Sequence, residues 1–387
     1  MDDLIITHRL TKGLWYNGSK FLNSYTVHNE EHAVTLINKS LELIKRIDYF
    51  TLKDVDYYIL FLACYLHDIS MVIHPDLAQF SSSKGKNENL ISDLMVDMKN
   101  RVNDFFKLNK EERKDSRMKE AGIFIINVFN KVYDFFENEI RIHHAKDSAK
   151  FIKERSRTLL SYLEPTLISF VADVSESHGY DVWDVYGLKS RAADNTMSLK
   201  YLMILIRLTD LMDVANDRVN YHLLRQNMAH LSPVSKFHWI SHLVTDRMDL
   251  KTTYDIPKKE NGDLAEKWIT ETINLDLHLN FQQLTTIKNT RKCKCLKCIL
   301  GKNCITINIL SCGKPYKVCE QDTCTILCLW MSKKHEWLIQ ELIALNEYLY
   351  SVDNSMFKTQ INLNIHYSND MKLDPDMFDS IQEYLGI

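Results

Sequence analysis

The chain has 387 residues and is mildly acidic, with 48 Lys and Arg against 51 Asp and Glu and a formal net charge of -3. This balance gives no overall attraction to nucleic acid or to an anionic membrane, so a phosphate group would have to be bound by a local site. Hydrophobic residues make up 45% of the chain, and the small numbers of glycine (10) and proline (6) predict long helices with little linker. No stretch reaches the roughly 18–20 apolar residues of a membrane span, and no signal peptide is visible, which predicts a cytoplasmic protein without a membrane partner.

The first informative helix is predicted over residues 28–47. It opens with His28 and His32, which are four positions apart and therefore lie on one helical face. Apolar residues follow at helical spacing, namely Val34, Ile37, Leu41 and Ile44.

A second helix, predicted over 54–69, ends in the dipeptide His67-Asp68 after a run of eight apolar residues. Adjacent helical side chains project about 100° apart, so His67 and Asp68 can converge only on an ion that lies beside their turn. The alternative interpretation is an ordinary helix C-terminus with a cation near its negative end.

The middle of the chain carries two further histidine motifs on predicted helices. His143 and His144 begin one charged amphipathic stretch, and His178 ends another just before Gly179. Helical periodicity predicts four helices in this region: 88–108, 118–140, 144–161 and 164–178.

The helix predicted over 197–213 is strongly apolar but carries Asp210 and Asp213 on its final turns. A buried carboxylate without a partner is costly. Asp210 is therefore expected to face a cation, an arginine or a metal ion.

The succession of His32, then His67-Asp68, then Asp210, each on its own predicted helix, resembles the HD-domain metal-dependent phosphohydrolase superfamily. The stretch around His28 and His32 and the stretch 207–213 are also similar to motifs of this superfamily. The resemblance implies an HD-type helical bundle in which His28 protonates a leaving oxygen. It implies a first metal held by four ligands: His32, His67, Asp68 and Asp210.

The two intermediate motifs resemble those of a prokaryotic HD subgroup, with Arg-x-x-His-Ala-x-x-Ser from Arg141 and Ser-His-Gly around His178. The resemblance implies a second metal on His144 and His178, with His143 as a secondary candidate and Asp68 as a bridge between the two ions. Members of this subgroup often occur with, or fused to, a chaperone-like ATPase, which is the partner implied here.

Together these residues predict a metal-dependent phosphohydrolase that uses a metal-activated hydroxide on a nucleotide or nucleotide-like phosphoester. Paired divalent ions supply the hydroxide and shield the phosphoryl charge, and imidazole with carboxylate favours Mn, Fe, Ni or Zn over Ca. Lys146 and Arg207 are predicted phosphate contacts; the alternative is that each is a cation on a helix surface. The other histidines, including His242 and His366, are interpreted as structural.

Two alternative functions remain open at this point. One is an HD nuclease that cuts single-stranded nucleic acid, and the other is a regulatory module that binds a ligand or an ATPase without turnover. The acidic net charge disfavours the nuclease, and the complete set of first-site ligands disfavours the module.

Eight of the nine cysteines lie between Cys293 and Cys328. In a reducing cytosol, closely spaced thiols are more often metal ligands than disulfides, although free thiols or a redox or iron–sulfur role are alternatives. Five basic residues lie among or beside the first of these cysteines, between positions 291 and 302. They either contact nucleic acid or keep a loop soluble. The predicted structural zinc site has four ligands: Cys293, Cys295, Cys298 and Cys304.

The overall prediction is a mainly α protein, with an HD-type helical domain over residues 1–250 and a smaller α+β accessory domain over 251–387. The accessory domain contains a Cys-rich insertion at 293–328 and a helix at 334–351. Alternating apolar residues predict its strands: 273–279, 306–310, 325–330 and 360–365.

Overall fold

A computed structural model gives the architecture, which is mainly α as predicted. Isolated positions between 92 and 137 are described in addition to the continuous ranges. These ranges are 2–17, 29–47, 50–72, 140–188, 198–229, 231–255, 269–280, 286–288, 307–311, 314–315, 319–320, 323–352, 357–368 and 373–385.

Helices dominate the described residues up to position 245. They are α1 (Asp2–Asn17), α2 (Glu30–Ile44), α3 (Asp54–Leu66), the helical stretch α4 (140–154), α5 (Pro165–Glu176), α6 (Val182–Tyr186), α7 (Leu199–Met212), α8 (Tyr221–Asn227) and α9 (Pro233–Leu243). The helices predicted from His32, His67, His178 and Asp210 are thus confirmed. The helix predicted over 144–161 is displaced, because residues 155–162 form turns.

The rest of the described chain adds eight strands and three helices. The strands are β1 (Thr245–Asp255), β2 (Ile269–Asn280), β3 (Thr286–Lys288), β4 (Ile307–Ser311), β5 (Lys314–Pro315), β6 (Cys319–Glu320), β7 (Thr323–Thr325) and β8 (Phe357–Ser368). The helices are α10 (Ile326–Lys334), α11 (Glu336–Val352) and α12 (Pro375–Leu385).

The main sheet has the strand order β1-β2-β8-β4-β5. β1 pairs antiparallel with β2, and β8 pairs parallel with both β2 and β4. The odd-numbered positions from 273 to 279 of β2 and from 361 to 367 of β8, such as Leu277 and Ile365, are buried, whereas most of the described even-numbered positions are polar and partly exposed. This alternation gives the sheet one apolar face, against which α11 packs, and one polar face.

The strand predicted over 325–330 is wrong, because residues from Ile326 onward form helix α10. Leu327, Trp330 and Met331 are fully buried at i, i+3 and i+4, which is the spacing of one helical face. The short apolar run fits both the helical and the strand period. Its packing against α11 and α12 favours the helix.

The buried hydrophobic residues of helices and sheet form one cluster, which includes Leu62 of α3, Leu205 of α7, Leu277 of β2 and Leu345 of α11. Helix α11 contacts α6, α7 and β8, so it joins the helical region to the sheet. The division near residue 250 remains a prediction.

The stretch Asp54–Val72 is the one candidate membrane span among the described residues, by length and hydropathy. Of this window, 67% is buried within the protein, as is typical of a core helix. The predicted helices 88–108 and 118–140 lie largely outside the described residues, and the Cys-rich insertion is described only in short strands and in the start of α10.

Candidate metal centre

His32 is presented by the first turn of α2. Asn29 caps this helix, since its side-chain oxygen accepts hydrogen bonds from the backbone amides of Glu31 and His32. The imidazole of His32 is 5% exposed and donates from Nδ1 to Asp213 Oδ2 at 2.5 Å. This bond orients the ring so that Nε2 faces the interior of the site.

His67 and Asp68 lie at the end of α3, as the sequence predicted. His67 donates from Nδ1 to the carbonyl oxygen of Cys64 at 3.0 Å, which again leaves Nε2 as the inward-facing atom. Nε2 lies 3.1 Å from Asp68 Oδ2 and 3.4 Å from His32 Nε2. Both side chains are almost fully buried.

His144 lies on α4, and residues of its motif bind α4 to the turn that follows Asp68. Its Nδ1 donates to the carbonyl oxygen of Arg141 at 2.7 Å. Ser148 Oγ accepts from the backbone amide of Ser70 at 3.1 Å, while Ser70 Oγ donates to the carbonyl oxygen of His144 at 2.9 Å. These bonds fix α4 to the turn that follows Asp68.

His178 lies in a short 3₁₀ turn, Ser177–Gly179, that continues α5. Its Nδ1 donates to the carbonyl oxygen of Ser175 at 2.5 Å. A Cβ added at Gly179 would lie 2.7 Å from Ala145 Cβ, so glycine is needed for the close approach to α4. The glycine of the Ser-His-Gly motif thereby allows His144 and His178 to meet.

Asp210 closes the first cluster from the last turn of α7. Its Oδ1 lies 3.4 Å from His32 Nε2 and 3.9 Å from His67 Nε2. The first cluster therefore brings together all four predicted ligands of the first metal.

The second cluster contains His144, His178 and Asp68. The Nε2 atoms of the two histidines are 2.8 Å apart, and each lies 3.5 Å from Asp68 Oδ1. Because Asp68 Oδ2 faces the first cluster, its carboxylate lies between the two, where a bridging ligand would be needed.

The charges of the two clusters differ. Burial opposes protonation of His67, but Asp68 and Asp210 outweigh it and raise the pKa of His67 to about 9. Burial, reinforced by His144 and His67, lowers the pKa of His178 to about 3. Burial also opposes ionisation of Asp210, yet the neighbouring His32 and His67 lower its pKa. The first cluster thus attracts positive charge, whereas the second offers neutral imidazole.

This donor set fits bound transition metals. Each imidazole uses Nδ1–H as a donor, so in the neutral form its Nε2 carries a lone pair. Two such lone pairs 2.8 Å apart, in His144 and His178, repel each other unless a cation lies between or beside them. Two groups could hold a metal ion: His32, His67 and Asp68, and Asp68, His144 and His178.

Other predicted site residues do not join these clusters in the described structure. His143 and Lys146 are exposed on α4. Arg207 is buried: its guanidinium donates to Glu341 Oε2 from two nitrogens, and to the carbonyl oxygens of Ser177 and Tyr180. The predicted phosphate contact at Arg207 thus lacks geometric support, because four of its five N–H donors are used internally.

Five predicted site residues lie outside the described residues, and their roles stay predictions. One is the predicted proton donor, and the others are the proposed zinc ligands: His28, Cys293, Cys295, Cys298 and Cys304.

Two residues that support the site were not predicted from the sequence. Asp213, which orients His32, is itself held by Arg218, whose Nη1 lies 3.5 Å from Asp213 Oδ2. Lys334, at the end of α10, lies within electrostatic range of Asp210, although burial, Arg218 and Arg141 lower its pKa to about 7. The second aspartate of the 207–213 motif was the available signal for Asp213, whereas no local signal marks Lys334.

Comparison with known proteins identifies one family. The family model of HD-CE matches residues 22–277, which is more than half of the chain and includes every described residue of both clusters. No curated protein and no solved structure gives a significant match.

Proposed function

Because the chain belongs to the HD-CE family, we propose that it is a metal-dependent phosphohydrolase acting on a nucleotide or nucleotide-like phosphoester. The observation that carries this proposal is the convergence of four imidazole Nε2 atoms on the two oxygens of one carboxylate, Asp68. Such a shared carboxylate suits a pair of divalent ions and has no evident purpose in a purely structural core.

Divalent ions such as Mn, Fe, Ni or Zn, when bound here, would activate water and shield the phosphoryl oxygens from one another. We infer two ions per chain. His32, His67, Asp68 and Asp210 would hold one, and His144, His178 and Asp68 would hold the other.

The protein's own groups prepare this site before any ligand arrives. Asp213 and the carbonyl acceptors fix the tautomer and the orientation of the four imidazoles. Burial excludes bulk water from His67 and Asp68, and the lower local dielectric constant strengthens their electrostatic interaction with a bound cation. Lys334 lies within electrostatic range of Asp210, and with its pKa lowered to about 7 it is only partly cationic at neutral pH. His28 is the proposed proton donor to the leaving oxygen.

Three further parts of the proposal rest on the sequence alone. A chaperone-like ATPase as partner is implied by the resemblance to the HD subgroup. A cytoplasmic location and a structural zinc on the cysteines from Cys293 to Cys304 follow from hydropathy and from cysteine spacing. No observation on the described residues favours the nuclease or the regulatory module over hydrolysis of a small phosphoester.

The test is release of inorganic phosphate from a panel of nucleotides by the metal-loaded full chain. The double variant His67→Ala/Asp68→Ala should lose activity by at least about 100-fold, as expected when ligands of a catalytic ion are removed. His222→Ala, at an exposed position of α8, is the matched control. Equal activity of the double variant and the control would refute the catalytic assignment.

Fluorescent single-stranded DNA and RNA belong in the same panel. Cleavage of these strands without phosphate release from any nucleotide would replace the proposed activity by the nuclease. Stable binding of an ATPase without turnover of any panel member would favour the regulatory module.

A further inference from the structure

The polar face of the main sheet carries a third group of potential metal ligands, remote in sequence from the first two. Asp276 and His278 alternate on β2, and so lie on one face. In the parallel register His366 of β8 is directly beside His278, and Asn364 is beside Asp276. On the other side β1 places Asp249 opposite Asp276.

The side chains of this group are in close contact. The rings of His278 and His366 are nearly parallel, with centroids 4.5 Å apart and planes inclined by 10°. His366 Nε2 lies 3.3 Å from Asp276 Oδ1, and His278 Nε2 lies 3.5 Å from Asp249 Oδ2. Asp276 is 4% exposed.

Both Nε2 atoms are buried, yet neither has a hydrogen-bond partner within the described part of the chain. Buried polar nitrogens usually have a hydrogen-bond partner, and leaving one without a partner is costly.

We propose that His278, His366 and Asp276 bind a transition-metal ion on the polar face of the sheet, with Asp249 as a further ligand. Ligand atoms of the first three residues all lie within 4.8 Å of one another. Two imidazoles and carboxylate oxygen are a donor set for zinc and similar ions. The χ2 angle of histidine is broad, so either ring can turn its Nε2 toward the shared ion.

The alternative is a purely structural cluster, in which the stacked rings pack and Lys251 neutralises Asp276. Lys251 Nζ lies 2.8 Å from Asp276 Oδ2, and Asn364 donates to Asp276 Oδ1 at 2.9 Å. These bonds satisfy the carboxylate, whereas each histidine Nε2 lies 3.3–3.5 Å from a carboxylate oxygen without forming a well-aligned hydrogen bond in the described part of the chain. The sequence analysis interpreted His366 as structural, because its neighbour on β2 cannot be seen in a linear chain.

The first experiment measures zinc per chain after equilibrium dialysis of the full-length protein. The variant His278→Gln/His366→Gln should bind one zinc ion fewer than both the wild type and His222→Gln. Its phosphate-releasing activity should stay within about twofold of wild type, because the proposed catalytic ligands are unchanged. A zinc content equal to that of His222→Gln would overturn the sheet site.

A second variant, which should not disturb the fold, is expected to strengthen zinc binding instead of weakening it. Lys251 is 60% exposed at its side chain, so Lys251→Met leaves the core intact. Removing this positive charge from beside Asp276 should lower the zinc concentration needed to half-fill the sheet site by about fivefold, the effect of roughly 1 kcal/mol. Unchanged or weaker zinc binding would overturn the proposal.

An Asp68→Ala variant separates this proposal from the proposed function. It should lose metal and activity at the His/Asp centre while keeping the zinc ion that depends on His278 and His366. Loss of both sets of ions in that variant would contradict the independence of the sheet site.

Discussion

Each imidazole of the His/Asp centre is oriented by a single acceptor at its Nδ1 atom. For His67, His144 and His178 the acceptor is a backbone carbonyl three residues earlier in the chain, so the local helix or turn fixes the ring. His32 differs, because its acceptor is the carboxylate of Asp213, 181 residues away. The orientation of His32 therefore depends on tertiary structure.

Asp213→Asn tests this dependence. An amide oxygen accepts the hydrogen bond from His32 Nδ1 less strongly than a carboxylate does, and the substitution also removes the negative charge beside His32. The affinity for the first metal should therefore fall about 10–100-fold. Metal affinity can be measured by competition with a chromophoric chelator. Asp217→Asn, at an exposed position in the next turn, is the control. An Asp213→Asn protein with unchanged affinity would show that Asp213 has no role in positioning His32.

His335 predicts a pH dependence of stability. It is 2% exposed, and burial followed by the charge of Lys334 lowers its pKa from 6.5 to about 3. Below pH 6.5 the His335 imidazole binds a proton in the unfolded chain, but in the folded chain it stays neutral until the pH approaches 3. The free energy of unfolding therefore decreases as the pH falls from 6.5 toward 3. At pH 5 the loss from this one group is about 2 kcal/mol.

Urea unfolding of the chelator-treated protein at pH 7.5 and pH 5 measures this effect. His335→Leu should show a drop in unfolding free energy about 2 kcal/mol smaller than that of wild type. The same drop in both proteins would mean that His335 does not stay neutral when folded.

The ligand residues could be predicted from sequence because their motifs are local and their order is specific. The two clusters are formed by the residues assigned to them, namely His32, His67, Asp68, His144, His178 and Asp210. Their metal-binding role remains a proposal. The partner of Arg207 could not be predicted, because Glu341 lies 134 residues later in the chain. Charge alone suggested a phosphate contact, whereas the fold uses this arginine internally.

Among elements, the contact between α7 and α11 connects the C-terminal part of the chain to the site. Glu341 of α11 binds Arg207 of α7, and Arg207 also holds the carbonyl oxygens of Ser177 and Tyr180, on either side of His178. Helix α11 thus supports the turn that carries a proposed ligand of the second metal. Arg207 is a positioning residue in this account.

Arg207→Met should reduce the unfolding free energy by about 3–5 kcal/mol, because it leaves Glu341 buried without its charge partner. The double variant Arg207→Met/Glu341→Leu should recover most of that loss. Lys153→Met, which breaks the exposed pair with Asp173, is the control and should cost less than about 1 kcal/mol. These free energies come from urea titrations, and equal losses in the single and double variants would contradict the buried-pair account.

Element type was predictable where the apolar pattern is long. The helical pattern of α2, α3, α5 and α7 extends over three or more turns, and the alternation in β2 is similarly clear. The run around Leu327 and Trp330 is too short to distinguish a helix from a strand, and its burial on α11 and α12 decided the outcome. The sequence analysis also assigned no strand to β1, whose outer half is largely polar and exposed.

At the scale of the whole molecule, helices and sheet share one hydrophobic core. Helix α11 contacts both the sheet and the helical region. Removing the sheet would therefore expose buried residues of α11, such as Leu345. The shared core could not be predicted from sequence. The change from a helical to an alternating apolar pattern near residue 250 marks a change of secondary structure, but it does not show whether the two parts pack into one core.

The shared core predicts that the chain unfolds in one cooperative transition. Urea unfolding followed by far-UV circular dichroism and by tryptophan fluorescence should give coincident curves. Two separate transitions would instead support independent domains divided near residue 250.

The proposed function requires the His/Asp centre to bind a pair of divalent ions across Asp68. The most direct measurement is anomalous diffraction at the manganese edge from crystals of the full chain grown with Mn²⁺. We expect two peaks, one beside His32, His67 and Asp210 and one beside His144 and His178, with Asp68 between them. A Mn²⁺-saturated crystal with no peak at either position would contradict it.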